Sequence, residues 1–74
     1  MASELDARGL LCPLPVLKAR KAIKAVPIGE ILTVLTTDAG APQDFVHFCE
    51  TTGHELIGSE QRGDHMAITI RRRV

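Results

Sequence analysis

The chain has no tryptophan and no tyrosine, and Phe45 and Phe48 are its only aromatics in 74 residues. A site for single-stranded nucleic acid needs aromatic platforms on which bases stack, so direct nucleic-acid binding is not expected. Two cysteines, Cys12 and Cys49, are too few for the disulfide framework of a small secreted fold, and both are expected to be free thiols in a reducing compartment. His47, His54 and His65 do not stand at zinc-site spacing from either cysteine, so no metal and no cofactor are expected. No apolar run approaches the ~18 residues that span a bilayer, and the opening Met1-Ala2-Ser3-Glu4 has neither the basic flank nor the apolar stretch of an export signal. The expectation is a cytoplasmic protein with no membrane contact.

Net charge is absent as well, since nine basic and nine acidic side chains cancel. The balance is uneven along the chain. Residues 1–37 carry five basic and three acidic groups, residues 38–64 one and six, and residues 65–74 three and none. The first helix and the C-terminal end are therefore basic and the middle acidic, a usable guide to partners. A chain of this length makes one domain, residues 1–74, that buries only about 60% of the surface of its unfolded form. No internal substrate cavity is expected.

What is present is periodicity. Leu5-Asp6-Ala7 reads as a short strand with Leu5 inward, and Arg8-Gly9-Leu10-Leu11 as the loop that follows. A helix is predicted over residues 13–25, because Pro15, Val16, Ala19, Ala22, Ile23 and Val26 share an arc of ~120° at 100° per residue. Pro27-Ile28-Gly29-Glu30 is a turn, and the β-branched, apolar residues 31–36 form a central strand. A second helix has Pro42 in its first turn and Gly53 just past its end, with Phe45, Phe48, Cys49 and Thr52 at i, i+3, i+4 and i+7. Residues 55–60 and 66–71 are strands joined by a hairpin over residues 61–64. The order β-α-β-α-β-β predicts an α/β (α+β) two-layer sandwich, a four-stranded mixed sheet with both helices on one face.

The stretch with chemical content is Cys12-Pro13-Leu14-Pro15. Proline suits the first helical position, which puts Cys12 at the N-cap and its sulfur at the positive end of the helix. Such a position lowers a thiol pKa. From ~8.5 only about 3% is thiolate at pH 7, and a depression of one to two units gives roughly a quarter to three quarters. The prolines limit the effect, because only Leu14 retains a free first-turn N–H for the sulfur. The expectation is a modestly activated thiol, with Cys49 structural. Leu14 and Leu17 fall off the core stripe and are bordered by Lys18, Arg20, Lys21 and Lys24, the pattern of a docking surface for an acidic-rimmed partner.

The run from Leu5 to Lys18 through Arg8-Gly9-Leu10-Leu11-Cys12-Pro13-Leu14-Pro15, the Pro-x-Gly-Glu turn, Thr37-Asp38, Asp44-Phe45 and Phe48-Cys49 together resemble the TusA (SirA-like) sulfur carriers over essentially the whole chain. The resemblance implies a sulfurtransferase-type carrier. Cys12, the catalytic residue, would take sulfane sulfur from a cysteine desulfurase or rhodanese-like donor, hold it as a persulfide and pass it to an acceptor protein. Pro13, Leu14 and Pro15 would support the helix start, and Arg8, Leu14, Leu17, Lys18 and Lys21 are the docking candidates. Family destinations include tRNA thiolation, molybdenum-cofactor synthesis and sulfur oxidation. This chain has Leu11 and Leu14 where the tRNA-thiolation member has Arg and Glu, and no proline directly after Asp38; these differences alter the surface a partner reads. The alternative is a regulatory or RNA-associated module without sulfur transfer, since the same element order resembles the C-terminal domain of translation initiation factor three and Arg71-Arg72-Arg73 is basic. A third reading pairs Cys12 with Cys49 as a redox switch.

Overall fold

The computed structural model describes residues 3–74; Met1 and Ala2, the first half of the opening Met1-Ala2-Ser3-Glu4, lie outside the described residues. Its elements in order are β1 (Ser3–Ala7), α1 (Leu14–Ala22) with a 3-10 turn over Ile23–Ala25, β2 (Ile31–Thr36), α2 (Ala41–Thr52), β3 (Glu55–Arg62) and β4 (His65–Arg71). The strands form one mixed sheet in the order β1-β2-β4-β3. β1 and β2 are parallel with Ala7 opposite Thr36, and β4 runs antiparallel to both β2 and β3. The predicted sandwich is therefore the fold observed.

Its apolar patterning explains the layers. Leu32 and Val34 of β2 sit opposite Ile70 and Ile68 of β4, and these four pack in one buried cluster with Ala19 and Ile23 of the first helical segment and Phe45 and Phe48 of α2. β2 lies between two strands, which is why it is apolar at consecutive positions. Leu35 and Ala67, paired across strands on the opposite face, are also buried. α2 stops at Gly53, whose φ of 88° is the left-handed conformation that costs a Cβ-bearing residue most, and the Gly53 N–H donates to the Cys49 carbonyl at 3.0 Å.

Three boundaries differ from expectation. α1 begins at Leu14, with Pro13 and not Cys12 as its N-cap. β1 reaches back to Ser3, because the parallel register extends to Leu32. The hairpin is tighter than four residues, since Gly63 at φ 62° lets the chain reverse within Gly63-Asp64 and leaves Gln61 and Arg62 paired with Met66 and His65.

The basic end is tied into the fold. The Gly29 N–H donates to the Arg72 carbonyl at 2.7 Å and the Arg72 N–H to the Glu30 carbonyl at 3.0 Å, so pairing with the β2 side continues beyond β4. The Arg72 guanidinium donates to the carbonyls of Val26 (2.8 Å), Lys24 (3.1 Å) and Val74 (2.8 Å). Arg71 and Arg73 both reach Glu55, at 3.4 and 3.1 Å. The Arg73 N–H donates to His54 Nδ1 at 3.2 Å, a bond that needs the unprotonated nitrogen. Burial and the nearby Arg72 charge hold His54 below its ordinary value, which favours that form.

Candidate functional site

Because β1 and β2 are parallel, they end on the same edge of the sheet, and the segments that leave them, residues 8–13 and 37–40, meet there. The Gly9 N–H donates to Thr37 Oγ1 at 2.8 Å, and the Asp38 N–H to Thr36 Oγ1 at 3.2 Å. Asp38 then bridges the two segments: its Oδ2 accepts the Cys12 N–H at 3.0 Å while Oδ1 accepts the Gly40 N–H at 3.4 Å. Asp44 stands one turn into α2, and its Oδ2 accepts the Cys12 thiol proton at 2.6 Å.

The expected activation of Cys12 is corrected by this geometry. The Leu14 N–H, expected to be free for the sulfur, donates to the Leu11 carbonyl at 2.9 Å. Cys12 precedes the N-cap by one residue, and the group facing its sulfur is a carboxylate. The Asp44 carboxylate, by accepting the thiol proton, pushes Cys12 above its ordinary value; partial desolvation and the negative charges of Asp44 and Asp38 act in the same direction. The free protein therefore holds a protonated thiol at neutral pH, although Cys12 is exposed. Cys49 is the buried core residue expected from its spacing, and burial raises its thiol as well.

The other sequence-derived residues divide by role. Pro15 is buried beneath the start of α1, whereas Pro13 and Leu14 are at the surface. Leu11, Leu14 and Leu17, close to Cys12 in the chain, are 72%, 46% and 51% exposed, with Lys18 and Lys21 also exposed on α1. Arg8 is exposed but paired with Asp6, Nε to Oδ1 at 2.9 Å. Asp38 and Asp44 were not singled out as site residues by sequence reasoning. Asp44 has a local signature, an acidic residue in the first turn of a helix, which ordinarily signifies no more than a favourable interaction with the helix dipole.

An open cleft of about 670 Å³ runs from Cys12 between the helices, lined by Val16 and Arg20 of α1 and by Asp44, His47, Phe48 and Thr51 of α2. Cys12, Asp38 and Asp44 are also a set of donors lying within 4.8 Å of one another. Their close approach is accounted for by the protein's own hydrogen bonds, Asp38 to the Cys12 N–H and Asp44 to the thiol. An exposed cysteine at a loop, fixed through its own N–H and with a carboxylate on its thiol proton, is suited to thiol exchange with a partner's sulfur.

A family profile described as Sulfurtransferase TusA matches residues 3–72. A candidate sulfur carrier protein of Neisseria meningitidis is 57% identical over 60 residues, covering 80% of this chain and 81% of that protein. The sulfur carrier protein TusA of Allochromatium vinosum is 44% identical over 69 residues, 93% of this chain and 91% of its own. Among solved structures, the SirA-like protein of Desulfitobacterium hafniense superposes with a TM-score of 0.82 at 28% identity, over 100% of both chains. With the Cys12-Pro13-Leu14-Pro15 motif seated where the two parallel strands end, and with a match that runs nearly end to end, this chain belongs to the TusA family of sulfur carriers.

Proposed function

We propose that the protein carries sulfur as a persulfide on Cys12, receiving it from a donor protein of the cysteine desulfurase or rhodanese-like kind and delivering it to an acceptor protein. The observation that carries this reading is the exposed Cys12, fixed through its own N–H to Asp38, in a stretch of chain that also exposes Leu11, Leu14 and Leu17. In loading, the Cys12 sulfur attacks the outer sulfur of a donor persulfide, the donor S–S bond breaks, and the donor cysteine leaves with its electron pair and takes up the proton that Cys12 gave up. No oxidant is consumed, because the sulfane sulfur moves from one thiol to another. Leu14, Leu17, Lys18 and Lys21 form the docking face, and Leu11 and Leu14 select among partners; Arg8, the other docking candidate, is held in its pair with Asp6. Pathways open to such a carrier are tRNA thiolation, cofactor synthesis and sulfur oxidation, in a compartment reducing enough to keep both cysteines as thiols.

Incubation with a cysteine desulfurase and cysteine should add the mass of one sulfur atom to the protein. Cys12→Ser should abolish the gain and Cys49→Ser preserve it. Equal dependence on both cysteines would favour a redox pair over a carrier. The RNA-associated alternative draws no support from the basic end, where Arg72 is bound to three carbonyls and Arg71 and Arg73 share Glu55.

A further inference from the structure

We propose that Asp44 is a positioning residue for Cys12: it holds the sulfur as a thiol in the free carrier and releases it as a nucleophile when a cationic group of the sulfur donor pairs with the Asp44 carboxylate. This rests on the persulfide reading of Cys12. The thiol donates to Asp44 Oδ2 at 2.6 Å, and Asp38 Oδ2 takes the N–H of the same cysteine at 3.0 Å. Both carboxylates are half-buried, and among the described residues neither is in an ion pair. The other charged or titratable groups lining the cleft are Arg20 of α1 and His47 of α2, neither of them an ion-pair partner of Asp44.

A thiolate formed here would be a third negative charge beside two unneutralised ones, which disfavours it in the free protein. A donor that lays a lysine or arginine on Asp44 supplies the missing countercharge and competes for the oxygen that holds the thiol proton. The proton then leaves Cys12, the thiolate attacks the outer sulfur of the donor persulfide, the donor S–S bond breaks, and the departing donor thiolate takes up a proton. Atoms and charge balance, and no redox partner is needed. Once loaded, the inner sulfur of Cys12 bears no hydrogen, so its bond to Asp44 no longer exists. Nucleophile and docked partner thus appear together, and the unpartnered carrier is shielded from adventitious electrophiles.

The test follows two rates in the wild type, Asp44→Asn and Asp44→Glu, with folding checked by thermal melts. One is iodoacetamide alkylation of Cys12 against pH, read by peptide mass spectrometry so that Cys49 does not interfere. The other is single-turnover loading from a persulfide-charged cysteine desulfurase. The wild-type alkylation midpoint should lie above that of an ordinary thiol, and Asp44→Asn should lower it, making alkylation near pH 7 roughly tenfold faster. Loading should move the opposite way, slowing on the order of tenfold in Asp44→Asn as the donor loses its ion pair, and Asp44→Glu should restore both behaviours in part. An unmoved midpoint in Asp44→Asn would overturn the hold on the proton. Loading that accelerates along with alkylation would overturn the release, leaving the carboxylate a mere restraint. No loading of wild-type Cys12 at all would overturn the persulfide reading and the release step with it, while the alkylation profile still decides whether Asp44 holds the proton.

Discussion

Asp6 and Arg8 are bound to each other twice, Nε to Oδ1 at 2.9 Å and Nη2 to Oδ2 at 3.0 Å, and the Arg8 N–H adds a third bond to Oδ1 at 3.1 Å. Arg8, first through its side chain and then through its backbone, lowers the Asp6 carboxyl from 3.8 to about 2. The folded value lies below the unfolded one, so the stabilisation is present above pH 3.8 and is lost as pH falls through about 2. Both side chains are exposed, so the contribution is small. Replacing Arg8 by Ala should raise the Asp6 titration toward the ordinary carboxylate range in an NMR experiment while the residue-8 N–H still holds it somewhat low; an Asp6 that still titrates near 2 in that variant would show that the Arg8 side chain is not the main cause. At the same scale, Cys12 was legible in the sequence and its chemical state was not. The flanking prolines locate the cysteine within one residue of a helix start, which is local information. What sets its protonation is Asp44, 32 positions away, brought to the sulfur only by the packing of α2 beside α1.

Among the elements, α1 has one face buried in the core and one exposed. Ile23, at the end of that helical segment, is buried in the core cluster, and Leu14 is at the surface beside Cys12. Ile23→Ala should therefore cost about 2–5 kcal/mol in denaturant unfolding. Leu14→Asp should cost within about 0.5 kcal/mol yet slow sulfur transfer, because it sets a charge where an apolar contact forms. Unchanged transfer in both Leu14→Asp and Lys21→Glu would remove the docking face. The buried face was readable from the 3.6-residue period alone, since all six stripe residues, Pro15, Val16, Ala19, Ala22, Ile23 and Val26, are buried or half-buried. Element ends were less readable. The length of β3 depends on how tightly Gly63 lets the hairpin close, and a stretch of turn-forming residues does not specify that; the position of the α1 N-cap likewise depends on the loop bond from Leu14 to Leu11.

For the molecule as a whole, zero net charge with a basic first helix and an acidic middle predicts partner-dependent salt effects. The encounter rate with a donor should fall moderately as salt rises, through the exposed lysines of α1. Affinity for RNA should be unmeasurable at physiological salt, and filter binding at submicromolar RNA that disappears when Arg71, Arg72 and Arg73 become alanine would contradict this. The parallel pairing of β1 with β2 carries one more consequence. Strand partners such as Ala7 and Thr36 are distant in sequence, and Cys12 meets Asp38 and Asp44 only when they join. In a chain not yet folded, Cys12 is an ordinary thiol with a pKa of ~8.5, more readily ionised than in the finished protein. Folding itself is thus the chemical cap on this cysteine, and oxidative or alkylating damage should fall first on unfolded or partly opened molecules. By the same linkage the bond favours the native state below the unfolded thiol's pKa, and that advantage fades as pH rises through the raised native value.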